Sequence, residues 1–215
     1  AVTPPPGPVP AAAPRPAGPQ APVPPEISLS KSRPVSLAKG QRVILRKDGG
    51  VALTSVAMCL GWDPVKRGRS VDLDASVLMC SGTDCVEIVC FYHLRSKDGS
   101  IVHSGDNLTG HGEGDDEMIS LALQRIPPSI DKLGFTVTSF LGQSFKSVKN
   151  AYCRLVDTTT NTELARYTLN ESVPFTAILM AVIERQNGEW KLRAVGEGFR
   201  ARTPKKAAKQ SQPFL

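Results

Sequence analysis

The sequence has no long apolar run, few aromatic residues and no stretch with a clear helical period. Aromatic residues make up 6% of the 215 residues. No uninterrupted apolar segment reaches the roughly 18–20 residues that a membrane-spanning helix needs. Apolar residues alternate with polar ones over short segments that are bounded by Gly, Pro, Asn and Asp. This pattern argues against a helical bundle and a helical membrane protein, and it favours an all-β fold.

Cysteine is scarce and odd in number. The five cysteines are Cys59, Cys80, Cys85, Cys90 and Cys153. Three of them have the spacing C-x4-C-x4-C, whereas zinc sites typically use closer pairs and a fourth ligand. We therefore expect reduced thiols that pack as small apolar residues, as in a cytoplasmic protein. A soft-metal or redox role for Cys80, Cys85 and Cys90 is the alternative.

Proline and charge divide the chain into three parts. The first 25 residues hold 11 of the 18 prolines, which favours an extended, disordered linker over 1–34, with an extra strand at 27–31. Of the net charge of +6, residues 1–34 carry +2 and the tail after Gly198 carries +5, which leaves −1 between them. We expect a folded domain over 35–199 and a basic disordered tail over 200–215. A core of this charge offers no specific surface for nucleic acid.

Short strands separated by turn signals account for most of the remaining chain. Nine of the predicted strands are Val51–Leu60, Val71–Met79, Val86–Tyr92, Met118–Leu123, Leu133–Phe140, Asn150–Val156, Glu163–Leu169, Phe175–Arg185 and Trp190–Val195. Asn187-Gly188 is a strong hairpin signal, and Ser144–Lys149 suggests a short helical turn. About ten such strands predict a β-sandwich of two packed, mainly antiparallel sheets.

The stretch His103–Glu117 is dense in acidic residues and glycine. Its carboxylates are Asp106, Glu113, Asp115, Asp116 and Glu117, and it also contains Asn107. So many like charges repel one another unless water or a cation surrounds them. Oxygen ligands of these kinds suit Ca²⁺, although the spacing after Asp106 does not match an EF-hand. Two interpretations remain open, a calcium loop and a solvated acidic turn.

Asp72 and Asp74 form a second acidic feature, on the predicted strand Val71–Met79. Alternate residues of a strand point to one face, so these two carboxylates lie side by side. Like charges on one face are unfavourable unless something positive lies between them. The pair is therefore a second candidate contributor to a metal site, and a capping or turn role for each Asp is the alternative.

Several longer motifs are similar to those of a known protein family. They are Leu60-Gly-Trp-Asp63, Val71-Asp-Leu-Asp-Ala-Ser76, Ser104-Gly-Asp-Asn-Leu-Thr-Gly110, Gly112-Glu-Gly-Asp-Asp-Glu117 and Trp190-Lys-Leu-Arg-Ala-Val-Gly196. Together they resemble the bacterial tellurium-resistance TerD family, which includes general-stress and chemical-damage-resistance proteins. The resemblance runs from about Val35 to Phe199 and leaves out the linker and the tail.

The resemblance implies a β-sandwich that binds Ca²⁺ through acidic loops, with two ions and without catalysis. By motif match, the implied side-chain ligands are Asp72, Asp74, Asp106, Asn107, Asp115, Asp116 and Glu117. Backbone carbonyls near Leu73, Gly110 and Gly112 would complete the coordination shell.

The resemblance also implies a location and partners. It suggests a cytoplasmic protein, associated with the inner face of the membrane, that acts with other stress-response proteins of the Ter type.

Two alternative functions remain. One is a metal-dependent hydrolase that uses the same acids with His103 or His111 as the base. The other is a tethered interaction domain that recruits partners through the proline-rich arm and the basic tail.

Overall fold

The computed structural model describes residues 26–29, 34–47, 49–64, 72–107, 114–168 and 174–215. Its strands, in chain order, are β1 (Glu26–Ser28), β2 (Val35–Ser36), β3 (Arg42–Ile44), β4 (Ser55–Pro64), β5 (Leu73–Ser81), β6 (Asp84–Cys90), β7 (Ile101–His103), β8 (Glu117–Ala122), β9 (Lys132–Ser139), β10 (Val148–Asp157), β11 (Thr162–Thr168), β12 (Ala177–Gln186) and β13 (Glu189–Phe199). The helix α1 spans Pro204–Ser211, and short 3-10 turns cover Leu123–Arg125, Phe145–Ser147 and Gln212–Phe214.

The strands form two sheets that pack face to face. One sheet has seven strands in the order β1-β3-β13-β12-β9-β5-β6, and the other has six in the order β2-β11-β10-β4-β8-β7. Only the pairs β1–β3 and β2–β11 are parallel among the described strands. The predicted sandwich of two mainly antiparallel sheets is therefore confirmed, with more strands than the ten or so expected.

A single large apolar core lies between the sheets. Trp62 from β4, Ile119 from β8, Phe135 from β9 and Ile183 from β12 are among its buried side chains. Burying each such side chain contributes about 1.5–3 kcal/mol relative to leaving it in water. This core holds the two sheets at a fixed distance, so residues at the ends of facing strands keep a defined separation.

Two predicted turn regions have the expected structure. Asn187 and Gly188 connect β12 to β13, and both have positive φ, at 51° and 79°. These angles suit the tight turn that joins antiparallel strands with a right-handed twist. The 3-10 turn at Phe145–Ser147 lies within the predicted helical turn at Ser144–Lys149.

The strand β4 begins and ends later than predicted. It continues through Gly61 to Pro64, because its last residues still pair with the start of β10. A Cβ at Gly61 would overlap the ring of Tyr152, which lies on β10. Gly61 therefore permits close approach of a side chain within a strand, and it does not mark the end of the strand.

The N-terminal part of the folded structure begins before residue 35. The strand β1 overlaps the predicted strand at 27–31 and pairs with β3, so Glu26–Ser28 belongs to the seven-stranded sheet. Residues 1–25, where the proline-rich linker was predicted, lie outside the described residues.

The prediction of a disordered tail over 200–215 is wrong. The tail forms α1, whose N-terminal cap is Thr203, with Oγ1 accepting a hydrogen bond from the Lys206 N–H at 3.3 Å. Ala207 and Ala208 are buried against the outer face of the seven-stranded sheet. The sequence did not predict this packing because α1 is rich in lysine and its buried face consists of small residues. No helix of the described residues is long and apolar enough to cross a membrane.

The cysteines are not all reduced, contrary to the sequence-based expectation. Cys80 and Cys85 face each other across the β5–β6 hairpin and form a disulfide. The hairpin brings them together because only a tight turn separates the two strands. Cys59, Cys90 and Cys153 are free and buried, as expected for small apolar side chains.

An ion pair between the half-buried Lys47 and the buried Asp157 fixes the loop before β4 to the end of β10. Asp157 Oδ1 accepts hydrogen bonds from the Thr159 N–H and hydroxyl at 2.9 and 2.6 Å. The Lys47 ammonium lies 3.0 Å from Asp157 Oδ2. Burial raises the pKa of Asp157, but the hydrogen bonds from Thr159 and Lys47 outweigh it and lower the pKa to about 2.

We expect Asp157→Asn to lower the free energy of unfolding by about 2 kcal/mol at neutral pH, because it leaves the Lys47 ammonium without its anion. The Asp157 carboxylate has a lower pKa in the folded chain than in the unfolded chain. Its contribution is therefore complete above the unfolded pKa of 3.8 and is lost as the pH falls towards 2. Urea unfolding of both proteins at several pH values should show the difference shrinking below pH 4. A difference that stays constant down to pH 2 would contradict this role.

We expect Ala207→Asp to detach α1, because the charge would lie against the buried face of the helix. The destabilisation should be about 3 kcal/mol, or the tail should separate while the sandwich stays folded. Limited trypsin digestion should then cleave at Lys205, Lys206 and Lys209. Gln210→Asp, on the exposed face of the same helix, is the matched control and should leave the tail protected.

Candidate metal centre

Three carboxylates converge at one end of the sandwich. Asp72 and Asp74 lie at the start of β5, and Asp106 lies on the loop that follows β7. One oxygen from each carboxylate lies within 4.8 Å of the other two. Because β5 and β7 belong to different sheets, the packing of the sandwich itself brings these acids together.

Two oxygens of this group are buried and lack a hydrogen-bond partner among the described residues. They are Asp72 Oδ1 and Asp74 Oδ2. Asp74 is only 2% exposed and Asp72 is 8% exposed. Burying a carboxylate without a partner is strongly unfavourable, so such oxygens need a proton or a cation. The donor set is all oxygen, which suits a hard divalent cation.

The electrostatics of the group support the same conclusion. Burial raises the pKa of Asp74 to about 8, and the charges of Asp72, Glu117 and Asp106 add to this rise. Burial also raises the pKa of Asp72, as do the charges of Asp106 and Glu117. A divalent cation among these oxygens would reverse this effect and favour the ionised carboxylates.

Glu117 connects both sheets to the acidic loop. Its side chain is fully buried at the start of β8. Oε2 accepts a hydrogen bond from the Ala75 N–H at 2.6 Å, and Oε1 accepts one from the Asn107 N–H at 3.2 Å. Glu117 therefore holds β5 and the loop in position beside the three acids, and it adds a fourth negative charge.

His103 completes this connection. Its Nδ1 accepts a hydrogen bond from the Gly105 N–H at 3.1 Å, which leaves the proton on Nε2. Nε2 then donates to the carbonyl of Ala75 at 3.2 Å and lies 3.6 Å from Glu117 Oε2. The side chain of His103 is fully buried, so it supports the site and is closed to solvent.

Asp116 and Asn107 are paired with each other next to the group. Asp116 Oδ1 accepts a hydrogen bond from Asn107 Nδ2 at 3.0 Å, and Oδ2 accepts one from the Trp62 N–H at 2.9 Å. Burial raises the pKa of Asp116, and the Trp62 N–H opposes that rise. The two side chains brace the loop against β4, and each carboxylate oxygen of Asp116 can accept a second interaction.

Asp115, predicted as a metal ligand, is not part of the group formed by Asp72, Asp74 and Asp106. Its oxygens accept hydrogen bonds from Arg154 Nε and Nη2 at 2.8 and 2.6 Å. The Tyr152 hydroxyl donates a third, at 3.1 Å. Burial raises the pKa of Asp115, but the hydrogen bonds and charge of Arg154 outweigh it and lower the pKa. The carboxylate is therefore already neutralised by a cationic side chain.

The predicted backbone ligands remain predictions. Leu73 lies in β5 between the two aspartates and pairs with Ser139 of β9. Gly110 and Gly112 lie outside the described residues.

Arg154 and Tyr152 were not predicted from the sequence as part of this site. Both lie on β10, and Arg154 is 39 residues from the aspartate that it binds. In a strand whose residues alternate between apolar and polar, an Arg indicates only that its side chain points away from the core. The sequence therefore contains no local signal that Arg154 pairs with Asp115.

Comparison with known proteins agrees with this architecture. Residues 34–205 match the model of the TerD domain. The chain is 47% identical over 180 residues to the tellurium resistance protein TerZ of Serratia marcescens, which covers 79% of this chain and 92% of that protein. It is 43% identical over 176 residues to general stress protein 16U of Bacillus subtilis (strain 168), and this match covers 77% of this chain and 91% of that protein.

A solved structure has the same fold. The crystal structure of a homologue of the telluride resistance protein TerD, from Streptomyces coelicolor A3(2), superposes with a TM-score of 0.63 at 27% identity. The match covers 73% of this chain and 96% of that chain. From the match over residues 34–205 and the identity to curated relatives, the chain belongs to the TerD domain family.

Proposed function

We propose that this chain is a non-catalytic Ca²⁺-binding module of a bacterial stress response. The observation that carries the proposal is the group Asp72, Asp74 and Asp106, with two buried oxygens that have no hydrogen-bond partner among the described residues. The names of the relatives, which refer to tellurium resistance and general stress, support the stress context.

The ligand chemistry favours Ca²⁺ over other common cations. Zinc and copper prefer nitrogen or sulfur, which the group lacks, and Mg²⁺ demands a tight octahedral shell. Asp72, Asp74 and Asp106 would hold one ion, and carbonyls near Leu73, Gly110 and Gly112 would add ligands. Asn107, Asp116 and Glu117 would contribute to the same ion or a second one. A bound ion would supply positive charge that ties the acidic loop to β5.

Support for a non-catalytic role comes from the side chains around the group. A general base must reach the proton that it abstracts. The buried His103 already donates to the carbonyl of Ala75 and accepts from the Gly105 N–H. Asp116 and Glu117 accept hydrogen bonds from backbone N–H groups. His103, Asp116 and Glu117 therefore do not favour the hydrolase alternative, and His111 lies outside the described residues.

The same proposal includes a location and partners. A cytoplasmic site of action, at the inner face of the membrane, suits a member of this family. Other stress-response proteins of the Ter type are the proposed partners, and the proline-rich residues 1–25 would act as a tether.

We expect Ca²⁺ to stabilise the chain, because it binds only the folded arrangement of the acids. At a free concentration one hundred times the Kd, the gain should be about 2.7 kcal/mol. For a domain of this size that corresponds to a rise in Tm of roughly 5–10 °C. Titration calorimetry with Ca²⁺ and Mg²⁺, and thermal melts with Ca²⁺ or EGTA, would measure affinity and stabilisation. An unchanged melt together with no calorimetric signal would contradict the proposal.

Asp74→Asn should separate metal binding from folding. The variant keeps the shape of the side chain but cannot ionise, so it avoids the cost of burying an acid whose pKa folding raises to about 8. Without Ca²⁺ it should therefore be at least as stable as the wild type at neutral pH. Its affinity for Ca²⁺ should be at least roughly tenfold weaker. Asp84→Asn, an exposed aspartate at the start of β6, is the matched control and should keep the full response. A Ca²⁺-induced rise in Tm that survives in Asp74→Asn would rule out this group as the site.

Arg154 should act as a positioning residue, because it fixes Asp115 immediately before Asp116 and Glu117. Arg154→Met should weaken Ca²⁺ binding roughly tenfold, which is typical when a group that orients metal ligands is removed. Arg166→Met is the matched control, since Arg166 also pairs with Glu163 but does not bind Asp115. Calorimetric Kd values for both variants test this. Equal losses of affinity in the two variants would mean that Arg154 has no specific role at the site.

A further inference from the structure

The disulfide between Cys80 and Cys85 lies beside an open groove that the metal site does not use. The groove runs between β6 and α1 and has a volume of about 550 Å³. The lining side chains that matter here are Cys85, Glu87, His93, Lys205 and Lys209. The disulfide is therefore next to a space that could hold a small molecule.

The two sulfurs of the disulfide differ in their access to this groove. Cys80 is 0% exposed and packs with Leu78 of β5 and Ala208 of α1. Cys85 is half-buried and lines the groove. A molecule that enters the groove therefore meets Cys85 first. Thiol–disulfide exchange depends on which sulfur the attacking thiolate can reach, so the geometry directs attack to Cys85.

The charges of the groove favour a negatively charged molecule. Lys205 and Lys209 are four residues apart on α1, so they lie on the same side of the helix, and both line the groove. The carboxylate on the opposite wall, Glu87, accepts hydrogen bonds from His93 Nε2 and the Lys97 N–H, both at 2.9 Å. The ammonium groups of Lys205 and Lys209 therefore face a single carboxylate, Glu87, whose charge two hydrogen-bond donors already partly compensate.

We propose that Cys80–Cys85 is a thiol-exchange site whose groove takes a small thiol that carries carboxylates. The thiolate of that molecule attacks Cys85 Sγ, a new S–S bond forms to Cys85, and the bond to Cys80 breaks. The electron pair of the broken bond leaves on Cys80, which takes a proton from water. A second molecule of the thiol attacks the mixed disulfide, so two small thiols are oxidised to their disulfide and the two cysteines are reduced.

The test compares small thiols of different charge on the full chain. The rate of disulfide reduction is measured with glutathione, which is anionic, and with 2-mercaptoethanol, which is neutral, each corrected for its thiolate concentration. Glutathione should be favoured by about fivefold, and the preference should disappear in 1 M salt, where charges are screened. Denaturation in the presence of N-ethylmaleimide exposes the buried Cys80 thiol for trapping, and peptide mass spectrometry should then find glutathione on Cys85 and the trapping agent on Cys80.

Substitutions on α1 provide matched controls. Lys209→Gln should lower the glutathione rate about threefold and leave the 2-mercaptoethanol rate unchanged. Lys206→Gln removes the same charge from the same helix but from a residue outside the groove lining, so it should change neither rate. Neither variant touches the acidic group at the start of β5, so this test is independent of Ca²⁺ binding.

Several outcomes would overturn the proposal. One is glutathione attached to Cys80. Another is an equal effect of Lys209→Gln and Lys206→Gln on the glutathione rate. A third is reduction at a rate that is independent of thiol concentration, since that would mean exchange only after unfolding. A fourth is a chain that still has five free thiols after exposure to oxidised glutathione, since the structure has three.

Discussion

Electrostatic repulsion between buried carboxylates is the constraint around which one end of the sandwich is arranged. Asp72, Asp74 and Glu117 are buried together, and Asp106 adds its charge from the loop. The apolar core sets the distance between the sheets, so these acids cannot move apart without disturbing the packing. The backbone N–H groups of Ala75 and Asn107 relieve the charge of Glu117. Asp72 and Asp74 have no comparable donors among the described residues for one oxygen each.

Two neighbouring acids of the loop, Asp115 and Asp116, have their negative charges compensated in different ways. Asp115 points to Arg154 and is neutralised within the protein. Asp116, the next residue, is bound by donors from Trp62 and Asn107 and remains beside the acidic group. The loop is thus anchored to β10 on one side and to β4 on the other. This arrangement restricts the movement of the proposed Ca²⁺ ligands before the ion binds. The entropic cost of ordering them on binding is therefore smaller.

The fold and the main acidic pairing could be predicted from the sequence because they depend on local patterns. Alternating residues defined the strands, Asn187-Gly188 defined a hairpin, and the spacing of Asp72 and Asp74 placed them together. What could not be predicted depends on contacts between distant residues. The pairing of Arg154 with Asp115 has no local signal, and neither has the packing of Ala207 and Ala208 on the outer face of a sheet. The disulfide was missed because the odd number of cysteines suggested reduced thiols, whereas the hairpin brings two of them into contact.

The lengths of the outermost strands bear on how copies of this protein behave at high concentration. An exposed strand edge is a template for pairing with another chain, and short edges limit such polymerisation. Within the described residues, β1, β2 and β7 form three of the four sheet edges and have three, two and three residues. Of the described edge strands, only β6, with seven residues, has an ordinary length. At high concentration, the described part of the chain would therefore expose one strand edge of ordinary length to amyloid-like growth instead of four.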